Sequence, residues 1–110
     1  MEEWNSSAEI IAMSLIANSG AARSLAFEAL KKAKLAEFDA AKELMDEANS
    51  VILKAHHFQT DLLQEEAQGN GHQLSILLVH AQDHFMTSLL AIDLITEIIE
   101  LYSNREGERQ

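Results

Sequence analysis

The sequence predicts an all-α chain folded as an antiparallel three-helix bundle, and three observations point there. It has no proline and only four glycines in 110 residues. Apolar residues recur at helical spacing in three long blocks, and no Val/Ile/Thr run alternates with period two as a strand would. The one clear breaker cluster is "QGNGHQ", where Gly69 and Gly71 flank Asn70.

The first helix is expected to start at Ser6, with Glu9 three residues on completing a capping box. One apolar stripe runs through Ile10, Met13, Ala17, Ala21 and Leu25 before turning polar at Glu28 and Lys32. A second, through Ile11, Leu15, Ala22, Ala26 and Ala29, is rich in small residues that let helices approach closely. Gly20 is assigned the same purpose, at a propensity cost of about 1 kcal/mol relative to Ala. The second helix is expected from Glu37 to Gln68, its apolar positions being Phe38, Ala41, Leu44, Met45, Ala48, Val51, Ile52, Ala55, Phe58 and Leu62. Neither Gly nor Pro marks the turn near "KLAEFD", so a bent continuous helix is the alternative there. The third helix is expected from Gln73 to Ser103, followed by a solvated tail, "NREGERQ". Helices of roughly 30 residues, each about 45 Å long, pack up-down-up when their connections are short.

The length suits one domain, residues 1–110. With no cysteine there is no disulfide framework, thiolate nucleophile or Cys-based metal site. Acidic residues stand where the basic region of a signal peptide would be, and Asn18, Asp93 and Glu97 interrupt the apolar stretches. The expectation is therefore a cytoplasmic chain with no membrane insertion. A formal charge of −10 argues against nucleic acid and anionic membranes, and suits a basic protein partner or a cation.

The third helix carries more apolar surface than one bundle needs. One stripe runs Leu74, Leu77, Leu78, Ala81, Phe85, Leu89, Ile92, Ile95, Thr96, Ile99 and Tyr102. Another, offset from it, runs Ile76, Val79, His80, Asp83, Thr87, Leu90, Leu94, Ile98 and Leu101, with mostly coiled-coil spacing. A second apolar face calls for a second partner, and the simplest is another copy of the same helix, so a symmetric homo-oligomer is expected. Asp83 then repeats around the symmetry axis, where like charges share protons or hold a hard divalent cation. Alternatively, Asp83 faces solvent at a rotated register.

Of the five histidines, His56 and His57 face about 100° apart on the second helix and read as surface or boundary residues. His72 sits at a helix start. His80 and His84 form an i, i+4 pair on one face. Residue chemistry leaves three roles open: half of a zinc site with Asp83, a structural pair, or a nucleophile whose imidazole nitrogen accepts a transferable group. The zinc reading lacks the Glu of an H-E-x-x-H motif, since position 81 is Ala81. No Gly-rich phosphate loop or paired general base supports a hydrolase.

"VHAQDHFMTSLLA" resembles the active-site helix of the lactose/cellobiose-type IIA components of the bacterial sugar phosphotransferase system (PTS). "AEIIAMSLIANSGAARSLAFEAL" and "AKELMDEANSVILKAHHFQTDLLQEEAQG" look like that family's first two helices, so the resemblance covers residues 6–102. It implies a homotrimer of nine helices and a phosphocarrier activity. The carrier HPr would donate a phosphoryl group to His80, which would pass it to a cysteine of the cognate IIB component while the membrane IIC component moves the sugar. Asp83 matches the aspartate whose three copies hold a divalent metal ion, Mg²⁺ by expectation, at the trimer axis. Gln82 and His84 are the supporting residues. Phe85 departs conservatively from a Leu, and "QGNGHQ" is short for the family. The rival reading is a non-catalytic oligomer that binds metal through His80, Asp83 and His84 as a scaffold or regulator.

Overall fold

The computed structural model describes residues 7–69 and 75–108. Three helices follow one another: α1 (Ser7–Lys34), α2 (Phe38–Ala67) and α3 (Ile76–Glu108). They form an antiparallel bundle in which α1 packs closely against both others, whereas α2 and α3 meet each other far less.

That asymmetry explains the composition of α1. Its buried line is Ala12, Leu15, Ser19, Ala22, Ala26, Ala29 and Ala33, mostly methyl-sized side chains that let two neighbours approach one helix. The small-residue stripe is therefore the inner one. Of the stripe beginning Ile10 and Met13, those two residues are exposed, while Leu25 at its far end packs partly buried against the core. Gly20 is not a close-approach residue, because a Cβ added there would meet nothing within 4 Å among the described residues. α1 is also long and apolar enough to cross a membrane by length and composition, although Asn18 interrupts its apolar run. In the bundle its inner line belongs to the core.

The turn after α1 is a Schellman motif: the Glu37 amide donates to the Lys32 carbonyl and the Ala36 amide to the Ala33 carbonyl, each at 2.9 Å. Ala36 takes the left-handed conformation, with φ of 62°, where glycine is usual. Lys32 and Glu37 pair across the turn at 3.5 Å. The chain thus breaks cleanly without Gly or Pro, and the bent continuous helix does not form. α2 buries Ala41, Met45, Ala48, Ile52, Ala55 and Leu62, as its periodicity predicts. It stops at Gln68 and Gly69, whose φ of 83° suits the glycine.

The connection from Asn70 to Leu74 and the Ser6 cap lie outside the described residues, as does Gln73, the expected start of the third helix. The described start is Ile76, capped by Ser75, whose Oγ accepts from the Leu78 amide at 3.1 Å. At its other end α3 continues to Glu108 rather than ending at Ser103. Arg and Glu are good helix formers, and the Arg105 guanidinium lies 5.3 Å from the centroid of the Tyr102 ring, one turn back. The expected solvated tail is therefore helical as far as Glu108.

The bundle is long and thin, 63 × 25 × 19 Å, with a radius of gyration of 17.2 Å where about 13 Å is usual for this length. Its accessible surface is 7259 Å², roughly a fifth above the ~6,100 Å² usual for a folded monomer of this mass.

Candidate functional site

The site motif occupies the first turns of α3. Helical geometry distributes its residues around the axis, with i and i+2 separated by roughly 200° and i and i+4 by about 40°. Ala81 and Phe85 fall on the core side and are buried, Phe85 to 1 % exposure. Their burial fixes the rotation of α3 and turns the rest of the motif outward. His80 and Asp83 are exposed, and Gln82 and His84 half-buried.

His80 and His84 meet as an edge-to-face pair, ring centroids 4.6 Å apart and planes at 81°. This is an orienting contact: one ring edge against the other's face restricts how His80 turns while leaving it open to a partner. His84 Nδ1 is buried without a hydrogen-bond partner among the described residues. One turn further, Thr87 Oγ1 donates to the Asp83 carbonyl at 2.8 Å and more weakly to the His84 carbonyl at 3.4 Å. The bond engages only the Asp83 backbone, and its carboxylate has no hydrogen-bond or ion-pair partner among the described residues.

The chain does not gather His80, Asp83 and His84 into a metal site. Among the described residues no group of three His, Cys, Asp or Glu side chains is placed to hold an ion. The trio is thus not prearranged around an ion within one chain, which does not favour the rival metal-binding scaffold. Asp83 stands instead on the outer stripe that the sequence singled out, which is exposed along its length: Ile76 at 90 %, Leu90 at 58 %, Leu94 at 53 % and Leu101 at 63 %. Val79 is likewise exposed, while Leu77 is half-buried against the core.

On α2, His56 and His57 are both exposed, as expected of surface residues, and the His56 ring lies 6.0 Å from that of Phe85. His72 is outside the described residues. The residue that sequence reasoning missed is Gln59. Its Nε2 donates to Gln82 Oε1 at 2.7 Å and reaches Met86 Sδ at 3.9 Å. The available signal was its position, four residues after Ala55 and three before Leu62, a polar side chain on an otherwise apolar stripe. A groove of about 570 Å³ also separates α2 from α3, lined by Phe38, Lys42, Met45, Asn49, Thr96 and Ile99, but it lies at the end of the bundle away from His80.

Fold and site together define a class: a helical-bundle protein that presents an oriented, solvent-facing imidazole beside an apolar face left open along one helix. Comparison with known proteins identifies the family. Residues 10–103 match the model of the PTS system, lactose/cellobiose-specific IIA subunit. The chain is 52 % identical over 94 residues to the N,N'-diacetylchitobiose-specific EIIA component of Escherichia coli (strain K12), covering 86 % of this chain and 81 % of that protein. The crystal structure of the PTS cellobiose-specific enzyme IIA from Bacillus anthracis superposes with a TM-score of 0.89 at 47 % identity, covering 93 % of this chain and 94 % of that one. IIA(Chitobiose) from the Escherichia coli IIA(Chitobiose)–HPr complex superposes with a TM-score of 0.78 at 47 % identity, covering 96 % and 99 %. The chain belongs to the lactose/cellobiose-specific IIA subunits of the sugar phosphotransferase system.

Proposed function

We propose that this IIA subunit is a phosphohistidine carrier: His80 accepts a phosphoryl group from HPr and passes it to the cysteine of a cognate IIB component during sugar uptake. The observation that carries this reading is the solvent-facing His80 ring, held edge-on by His84 on a helix rotated by the burial of Ala81 and Phe85. Membership of the PTS IIA family supports it, as does the structure of a similar IIA protein in complex with HPr.

A neutral imidazole nitrogen offers its lone pair to the phosphorus of the incoming phosphohistidine. The P–N bond of the donor breaks as the new one forms, and the donor imidazole leaves with the bonding pair. The thiolate of IIB later repeats the displacement, forming P–S and releasing His80. Such transfers depend on positioning and charge stabilisation rather than on acid–base chemistry by many groups. His84 holds the ring, whereas Gln82, about 200° further around the helix, is tied to Gln59 on α2. Exposed Ile76 and Val79, with Leu77 behind them, give docking carriers an apolar rim that limits hydrolysis. The charge of −10 steers a partner with a basic docking face.

In the same reading three copies pack their α3 outer stripes together as a trimer in the cytoplasm. Each chain offers one uncommitted carboxylate at Asp83, and three converging carboxylates are a hard oxygen donor set that suits Mg²⁺. When bound, the ion would offset negative charge close to a group that becomes more negative on loading.

The test is intact mass after incubation with phosphoenolpyruvate, the general phosphotransferase enzyme and HPr. A gain of one phosphoryl group that is acid-labile, base-stable and absent from His80→Ala supports the carrier. Helical, unmodified wild-type protein would sink it. Native mass spectrometry before and after chelation tests the trimer and its ion, with one metal per three chains expected.

A further inference from the structure

The groove of about 570 Å³ lies between the two helices that pack least against each other, at the end of the bundle away from His80. Its floor is apolar, made by Phe38, Met45 and Ile99 at the edge of the core. Its rim is acidic: Asp39, Asp46 and Glu100 stand there with one cation, Lys42, which Asp46 already holds at 3.0 Å. Such a groove suits an apolar body with positive charge beside it.

The same chain carries that combination on its other flank. Phe27 is 48 % exposed on α1, and Lys31 and Lys34, one and two turns on, are exposed next to it. Lys31 meets Glu28 at 3.4 Å, but both side chains are well exposed and the pair is easily exchanged. Seen from the helix N-terminus, Phe27, Lys31 and Lys34 stand roughly 90–150° clockwise of the buried line of α1. On α3 the groove residues Thr96 and Glu100 stand about 40° and 80° clockwise of buried Ile92, toward α2. Because α1 and α3 run parallel, the clockwise side of α1 is the α3 side, away from α2. Phe27 and the groove therefore open on opposite flanks of the bundle, with the α3 outer stripe between them. They also share a height. Phe27 stands seven residues before Lys34, the end of α1, and Met45 seven after Phe38, the start of α2, each about 10 Å along its helix from the connecting turn. Rotation about an axis along the bundle preserves height, so the flank of one copy faces the groove of the next. Unlike surfaces so placed close a ring of copies.

We propose that this groove seats a second copy of the chain: Phe27 of the partner subunit enters over Phe38, Met45 and Ile99, while the partner subunit's Lys31 and Lys34 meet Asp39, Asp46 and Glu100. The inference rests on the trimer proposed above and adds to its like-with-like α3 contact one between unlike surfaces. It also gives an occupant to an exposed aromatic and to the lysines that close α1 in a chain of net charge −10.

Cross-linking tests the pairing directly, because the chain has no cysteine of its own. Phe27→Cys and Thr96→Cys in one chain are expected to link copies on mild oxidation, giving three covalently joined chains by denaturing mass, while neither single variant does. A trimer by native mass spectrometry whose double variant stays unlinked would overturn the proposal and leave the groove to some other occupant. Single variants that link as fully as the double would overturn it too, since unlike surfaces would not be needed. In the cysteine-free chain, Phe27→Asp is expected to raise the concentration at half-assembly about tenfold or more with helical content unchanged. Lys31→Glu should weaken assembly less, and adding Glu100→Lys should recover it. Unchanged assembly in F27D would overturn the proposal. A wild type that is monomeric in native mass spectrometry is a failure of the trimer reading itself, visible before any variant is made. Monomers in Leu94→Asp with full assembly in F27D would keep the trimer and sink only this contact.

Discussion

The two sides of α3 are nearly equal in apolar content and opposite in fate. Ala81, Phe85, Ile92 and Ile95 are sealed in the core, while Leu90, Leu94, Ile98 and Leu101 on the same helix face solvent. Hydrophobicity therefore predicts that a face needs a partner without saying where the partner comes from. The inner side is satisfied by α1, which offers it a smooth alanine surface. The outer side is satisfied by nothing among the described residues, and Asp83 sits in line with it. The same helix thus carries a fold on one side and, by the reading proposed above, an assembly and an axial carboxylate on the other, with His80 on the flank between.

Breaking the site should have the largest effect. His80→Ala is expected to abolish phosphoryl acceptance entirely while leaving helical content unchanged, because the exposed ring contributes little to the core; circular dichroism and intact mass on one sample check both. Breaking the inner side comes next. Phe85→Ala should lower unfolding free energy by about 3–5 kcal/mol in denaturant titration, the usual cost of emptying a buried aromatic site. The outer side should answer differently. Leu94→Asp is expected to convert the assembly to helical monomers by analytical ultracentrifugation. Normal assembly in that variant would show that the outer stripe is not the interface. The smallest effects sharpen the contrast on α1 and at its end. Gly20→Ala should stabilise by about 1 kcal/mol through helix propensity, since the added methyl meets nothing within 4 Å among the described residues. Weaker association in that variant would instead place a partner against α1. Ala36→Gly should stabilise by about 1 kcal/mol by relieving the left-handed alanine, read from the shift in thermal midpoint.

Much of the site was legible in the linear sequence, since His80, Asp83 and His84 are related by helical spacing alone and their displacement from the apolar stripe beside them is visible in one dimension. The orienting contact between His80 and His84 follows from the same i, i+4 spacing. Gln59 did not emerge that way. Its contact depends on which residue of α3 lies opposite it, and a crossing between helices leaves only a faint mark on either strand of text: one glutamine on an apolar stripe.

What the sequence by itself determined was the helical plan, the break at Gly69, the core line of α2, the surplus face of α3 and the motif around His80. Each of these is a property of neighbours along the chain, where spacing translates directly into direction. Only the tertiary structure decided which stripe of α1 turns inward. Ile10 and Met13 are the more hydrophobic, but a helix gripped from two sides needs small side chains, so the alanines went in and the larger residues out. It also decided that α1 ends in a left-handed Ala36, that α3 runs on to Glu108, and that Gln59 meets Gln82. All three turn on geometry rather than periodicity: a turn that must return the chain, a helix end that nothing interrupts, and two amides brought together from separate helices.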